Sequence, residues 1–180
     1  MKTLKQLSSD YLYKPFEPTK EELIADFKAR VFQQIPILQI KLHYDKEVAS
    51  KDRLKISNSS NVTQILRALW NDGSLELQEA FKILYLNNYN QIIGLYPHSK
   101  GAITGTLADV RLILAAALKC GAVSMIMAHN HPSSNTKPSK ADKTLTKKIQ
   151  EASQLLDIQL LDHIILTKDD YYSFADEGRL

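Results

Sequence analysis

Residues 122–145, "AVSMIMAHNHPSSNTKPSKADKTL", hold the stretch on which the fold turns. The opening "AVSMIMAH" is a short apolar run of strand length, suited to a strand buried on both faces. It ends on His129. Ser139 is a natural helix N-cap, and Ala141, Leu145, Ile149, Ala152 and Leu156 recur behind it at helical spacing, predicting a helix of about four turns. Strand, polar loop and helix form the start of a β–α unit. Two histidines, His129 and His131, stand where the strand ends, and Asp142 stands in the first turn of the helix.

That placement has chemical content. Residues i and i+2 of a strand project to the same side, about 6.5–7 Å apart along the chain, so His129 and His131 can converge on one cation. Zinc takes nitrogen and oxygen ligands at about 2.0–2.2 Å in a tetrahedron, and Asp142 can supply the third ligand. The fourth position is left for water, the arrangement of catalytic rather than structural zinc. A histidine pair can also serve as turn residues bonded to backbone. Imidazole and carboxylate ligands suit iron, cobalt or nickel as well as zinc.

Outward from this unit, "LADVRLILAAALKCG" has strong helix formers and a terminal Gly121. "QEAFKILYLN" and "QIIGLY" predict a hairpin around Asn87–Asn90, and "IQLLDHIIL" with "YYSF" a second around Lys168–Asp170. Ser59 or Ser60 can cap a helix carrying Val62, Ile65, Leu66, Leu69 and Trp70 that stops at residues 71–73. Thr19 and Glu22 have capping-box spacing for a helix over about 19–31, and Ile40, Leu42 and Tyr44 alternate as in a strand. Residues 47–59 form a connector, which divides the chain into an N-terminal helix-plus-strand extension, 1–55, and a main domain, 56–180. Strands interleaved with helices predict an α/β fold with a sheet covered on both faces.

Composition bounds the function. With 180 residues, 44% hydrophobic and 24% charged, the chain can build a full core, and a net charge of +3 is too small to mark a nucleic-acid binder by itself. No apolar run approaches the roughly 20 residues of a membrane span, and the N-terminus lacks a secretion signal, so a cytoplasmic location is expected. The single Cys120 excludes an internal disulfide and a multi-cysteine zinc site. It is expected to be a packing residue. His163 reads as a core or outer-sphere histidine, alternating with Leu161 and Ile165, while His43 and His98 read as surface residues. No feature specifies an oligomeric state.

The pattern His129-x-His131-Pro132 followed by Ser139-x-x-Asp142 resembles the JAMM motif of the MPN/JAB metalloprotease-like domains. "AHNHPSSNTKPSKAD", "LLDHIIL" and "YYSF" resemble its RadC branch over about residues 56–180. The resemblance implies a three-layer architecture like that of cytidine deaminases, with a central mixed β-sheet flanked by helices. It implies one zinc ion per chain held by His129, His131 and Asp142, a zinc-dependent hydrolase of the metallopeptidase or isopeptidase type, and a protein or peptide substrate. Glu79 falls at the family's upstream glutamate and would be the general base; Ser139, at the motif serine, would donate to the oxyanion, a hydroxyl the helix cap also needs.

Two departures from the family stand out. No glycine precedes Gly73, so the glycine-dependent helix-hairpin-helix DNA module of longer relatives is not expected here, and Ser134 replaces a usual glycine. Deaminase chemistry is excluded because one cysteine cannot make P-C-x-x-C, and no H-E-x-x-H helix is present. A DNA-associated role, suggested by the family's DNA-repair naming and by Lys137, Lys140, Lys143, Lys147 and Lys148, competes with the reading of those lysines as the solvated face of a helix. A non-catalytic scaffold is the other alternative.

Overall fold

A computed structural model describes residues 18–34, 41–44, 46–70, 74–101 and 108–180. The chain divides into two compact units, residues 1–40 and 41–180. In the first, helix α1 (Lys20–Gln34) begins at the expected capping box: Thr19 N donates to Glu22 Oε2 at 2.8 Å, and Glu22 N to Thr19 Oγ1 at 3.2 Å. It runs three residues beyond the expected end.

The second unit starts earlier than position 56. Leu54 accepts from Ile92 N at 2.9 Å and Lys55 bridges Gln91, so these connector residues pair with the main sheet. Residues 41–44, expected to be strand, carry no ladder, and Ile40 lies outside the described residues. Helix α2 (Ser59–Leu69) is capped by Asn58, whose side chain accepts from Asn61 N, and not by either serine. Three adjacent residues here can all cap, and asparagine is as good a cap as serine. Trp70 ends α2; residues 71–73, the expected stop, lie outside the described residues.

Five strands form one mixed sheet: β1 (Ala80–Leu86), β2 (Ile92–Lys100), β3 (Ser124–Asn130), β4 (Gln159–Leu166) and β5 (Tyr171–Ser173), in the order β2-β1-β3-β4-β5. Only the β3–β4 pair is parallel. Helix α3 (Val110–Cys120) ends on Gly121 at φ 68°, a left-handed cap that glycine takes without a Cβ penalty. Helix α4 (Lys140–Gln154) makes the crossover from β3 to β4.

The central strand β3 is buried at all seven positions, as its unbroken apolar run predicts. Met125 and Met127 pack with Ile113, Leu114 and Ala117 of α3 and Ile149 of α4. Ile126 and Ala128 pack with Val62 and Leu66 of α2. The fold is therefore α/β in three layers, with α3 and α4 on one face and α2 on the other. Leu161 joins the α2-side cluster instead of alternating with His163, because the β3–β4 register shifts between Leu160 and Asp162. Cys120 is half-buried and packs at the edge of the α3 side, where burial pushes its thiol up. Among the described residues no helix is long and apolar enough to cross a membrane.

Candidate metal centre

The phase of β3 sends His129 to the α4 side, where the start of α4 holds Asp142. Their approach is close: His129 Nε2 lies 3.0 Å from His131 Nε2 and 3.3 Å from Asp142 Oδ1, and His131 Nε2 lies 3.6 Å from Asp142 Oδ2. Four ligands at about 2.0–2.1 Å around a tetrahedral ion are about 3.3–3.4 Å apart, so these separations fit such an ion. The structure thus brings together all three residues that the sequence nominates as metal ligands.

The protons around the centre follow from the hydrogen-bond network. His131 Nδ1 faces the Asn135 carbonyl at 2.7 Å; a carbonyl cannot donate, so Nδ1 carries the hydrogen and Nε2 a lone pair. A longer chain fixes His129. Thr146 Oγ1 donates to the Asp142 carbonyl at 2.6 Å, so it must accept from His163 Nδ1 at 2.7 Å. His163 Nε2 therefore accepts from His129 Nδ1 at 2.9 Å, and His129 Nε2 also presents a lone pair. With both rings neutral, two imidazole lone pairs and a carboxylate meet with no hydrogen between them. A cation at that point turns their repulsion into coordination.

Burial, joined by the neighbouring His129, keeps the fully buried His163 well below the ordinary histidine range, and therefore neutral as the chain of bonds requires. Ring packing fixes its tilt and that of His129: Phe81 stacks on His129 at 5.7 Å and Phe174 on His163 at 4.9 Å. Although burial opposes ionisation of Asp142, the imidazoles of His129 and His131 and the backbone N–H of Ser139 hold its carboxyl far below the usual range. In the absence of a cation, a second proton on His131 is held by a hydrogen bond to Asp142, which raises the His131 pKa.

Ser139 is the N-cap of α4. Its Oγ accepts from Asp142 N at 3.1 Å while its N donates to Asp142 Oδ2 at 2.7 Å, so the capping box also orients the acid. The cap uses the oxygen of Ser139, and its O–H proton is left for another acceptor. Glu79 is half-buried just before β1 and contributes to the field at His131. The β1–β3 register pairs Phe81 with His129, and its continuation sets Glu79 opposite His131, on the same face of the sheet.

Thr146 escapes sequence reasoning, since a threonine within a helix gives no signal until α4 is laid against β4. His98 departs from its surface reading: it is half-buried, its Nε2 accepts from Asp109 N at 2.9 Å, and burial lowers its pKa. Lys140, Lys143, Lys147 and Lys148 border one open hollow along α4.

A family model described as "RadC-like JAB domain" matches residues 56–179. A UPF0758 protein of Flavobacterium johnsoniae is 46% identical over 124 residues, 69% of this chain and 53% of that protein. One from Pasteurella multocida is 42% identical over 123 residues, 68% of this chain and 53% of its own length. Another, from Chlorobaculum tepidum, is 34% identical over 157 residues, 87% and 68% of the two chains. The chain spans about half the length of the first two.

Proposed function

The chain belongs to the family of RadC-like JAB domains, and from that premise we propose that it is a zinc-dependent hydrolase of the metallopeptidase or isopeptidase type, acting on a protein or peptide amide. The observation that carries this reading is the convergence of three acceptors, two imidazole nitrogens and one carboxylate, at 3.0–3.6 Å. His129, His131 and Asp142 would hold the ion. When bound, zinc supplies a water acidified to a pKa of about 7 and a Lewis acid for the scissile carbonyl.

The remaining steps belong to side chains. Glu79, across from His131, takes a proton from the attacking water and passes it to the leaving amine, two jobs that one carboxylate performs in sequence. Ser139, its oxygen engaged by the cap, turns its proton toward the oxyanion of the tetrahedral intermediate; losing such a donor elsewhere costs about 2.7–4 kcal/mol. The expected setting is the cytoplasm.

Metal content of untagged protein, measured by mass spectrometry beside a His129→Ala, His131→Ala double variant, tests the site. About one zinc per chain, lost in the variant, is expected. A peptide-library screen with Glu79→Gln as control then tests the chemistry. Cleavage that survives Glu79→Gln at the wild-type rate would remove Glu79 from the mechanism.

A second reading rests on the hollow of α4, where Lys140, Lys143, Lys147 and Lys148 could meet phosphates although Glu151 pairs with Lys147 at 3.8 Å. It makes the protein a DNA-associated factor. Duplex DNA bound at low salt and released as salt rises is its expected signature, and affinity that ignores salt would sink it.

A further inference from the structure

Asn130 lies between the two histidines in sequence, and strand alternation turns its side chain to the opposite face. There it is fully buried. Its bonds reach the segment that leads into β1. Asn130 Nδ2 donates to the Leu75 carbonyl at 2.8 Å and to the Gln78 carbonyl at 2.9 Å, and its Oδ1 accepts from Ala80 N at 2.8 Å.

Two of those three backbone groups bracket Glu79. The Gln78 carbonyl belongs to the peptide just before it, and the Ala80 N–H to the peptide just after. Residues 74–79 precede β1 and have no ladder of their own; on the β2 side Gly101 N donates to the Glu79 carbonyl at 2.8 Å, and on the β3 side the amide of Asn130 stands in for the missing sheet bonds. Only an amide side chain fits this pattern: both N–H groups are used as donors and the oxygen as acceptor. Because the backbone on either side of Glu79 sets the direction of its Cα–Cβ bond, Asn130, from the β3 side, and Gly101, from the β2 side, together fix where that carboxylate stands relative to His131.

We propose that Asn130 is a positioning residue for Glu79, holding the carboxylate in register with the metal centre while touching neither metal nor substrate. The inference rests on the reading of Glu79 as the base. It gives the two faces of one strand end separate tasks, with ligation by His129 and His131 on one and placement of the base by Asn130 on the other. A base displaced by about 1 Å loses catalysis by roughly a hundredfold, so a residue with no contact to the reacting atoms can still limit the rate.

The test compares wild type with Asn130→Asp, which sets carboxylate oxygens against the carbonyls of Leu75 and Gln78, and with Asn130→Ser, which keeps one small polar group. Zinc affinity by chelator competition should stay within about threefold of wild type, because the ligands lie on the other face. Amide exchange over 75–80 should rise about tenfold, the scale of one lost hydrogen bond, while β3 and β4 exchange as before. In zinc-loaded crystals the ligands should superpose and the Glu79 carboxylate should shift or lose order.

A carboxylate that keeps its wild-type place in a folded variant would overturn the proposal, as would a zinc affinity that falls tenfold or more, roughly the loss expected when a ligand's support is removed. If wild-type crystals put Glu79 beyond about 3.2 Å of the solvent site on zinc, the reading of Glu79 as base fails and this inference fails with it. Should neither variant fold, the wild type itself decides: the Ala80 amide should exchange as slowly as those of the β1–β3 ladder, and exchange at the rate of an open loop would overturn the clamp.

Discussion

The two ends of the parallel β3–β4 pair differ in kind. At the C-terminal end, His129, His131 and Asp142 converge over the buried His163. Near the start of β4 lies an open hollow of about 670 Å³, bordered by Gln150, Gln154, Asp157, Gln159 and Leu180 among others, with no imidazole. The helix between them explains the asymmetry. Its first turn offers unpaired N–H groups and a positive dipole end to an acid, which suits Asp142, while its last turn brings carbonyls that attract no ligand-forming anion. Chemistry in open α/β sheets gathers where strands end and helices begin.

The largest effect should come from breaking that asymmetry at a ligand. Asp142→Asn keeps an oxygen for the capping bond from Ser139 N but loses the charge at the centre. Zinc affinity should fall by more than the roughly hundredfold typical of outer partners, with helix content unchanged by circular dichroism. Gln154→Ala, at the other end, should leave zinc affinity at the wild-type value. Equal losses in both variants would mean that the two ends are not distinct.

Next comes the chain of bonds behind His129. Thr146→Val removes the acceptor for His163 and the donor to the Asp142 carbonyl together, and so loosens two ligands through one side chain. Zinc affinity should fall about 10–100-fold. Thr146→Ser, which retains the hydroxyl, should recover most of it. A serine variant as weak as the valine one would show that Thr146 acts by packing.

A pH experiment on metal-free protein isolates the buried histidine. His163 is held neutral when folded, whereas in the unfolded chain it takes a proton near pH 6.5. The folded pKa is the lower one, so the stability it contributes is complete above about 6.5 and is lost as pH falls, at up to about 1.4 kcal/mol per pH unit. His131, raised by Asp142, has the opposite sign. Its contribution is complete below about 6.5 and lost as pH rises, so it does not cancel the His163 effect on the acid side. Urea unfolding of chelator-treated protein between pH 7 and 5 should show the loss, and His163→Gln should flatten the curve.

What the sequence made legible was local. The ligands lie within one β–α unit, and the spacing of His129, His131 and Asp142 along strand, loop and helix is enough to bring them together. The supporting groups answer to tertiary registers instead. Thr146 meets His163 only because α4 packs on β4, and Asn130 reaches residues 75–80 only because β1 lies beside β3. Leu161 misleads because a register shift changes the phase of β4 midway. Alternation over 40–44 looks like a strand, yet a strand needs a partner, and residues 41–44 have no ladder.

The smallest predicted effect concerns the loop that joins the two halves of the centre. Ser134 has φ 58°, and its N–H donates to the His131 carbonyl at 3.1 Å to close the turn. A left-handed backbone crowds the Cβ of a serine and costs roughly 1–2 kcal/mol relative to a residue without one. Glycine removes that strain but enlarges the freedom of the unfolded chain, a cost of about 0.4–1 kcal/mol. Relief outweighs the entropy loss by a narrow margin. Ser134→Gly should therefore raise stability by about 0.5 kcal/mol in denaturant melts and leave zinc stoichiometry unchanged. A destabilised glycine variant would mean that the stiffness of this loop, and not only its shape, keeps His131 in line with His129 and Asp142.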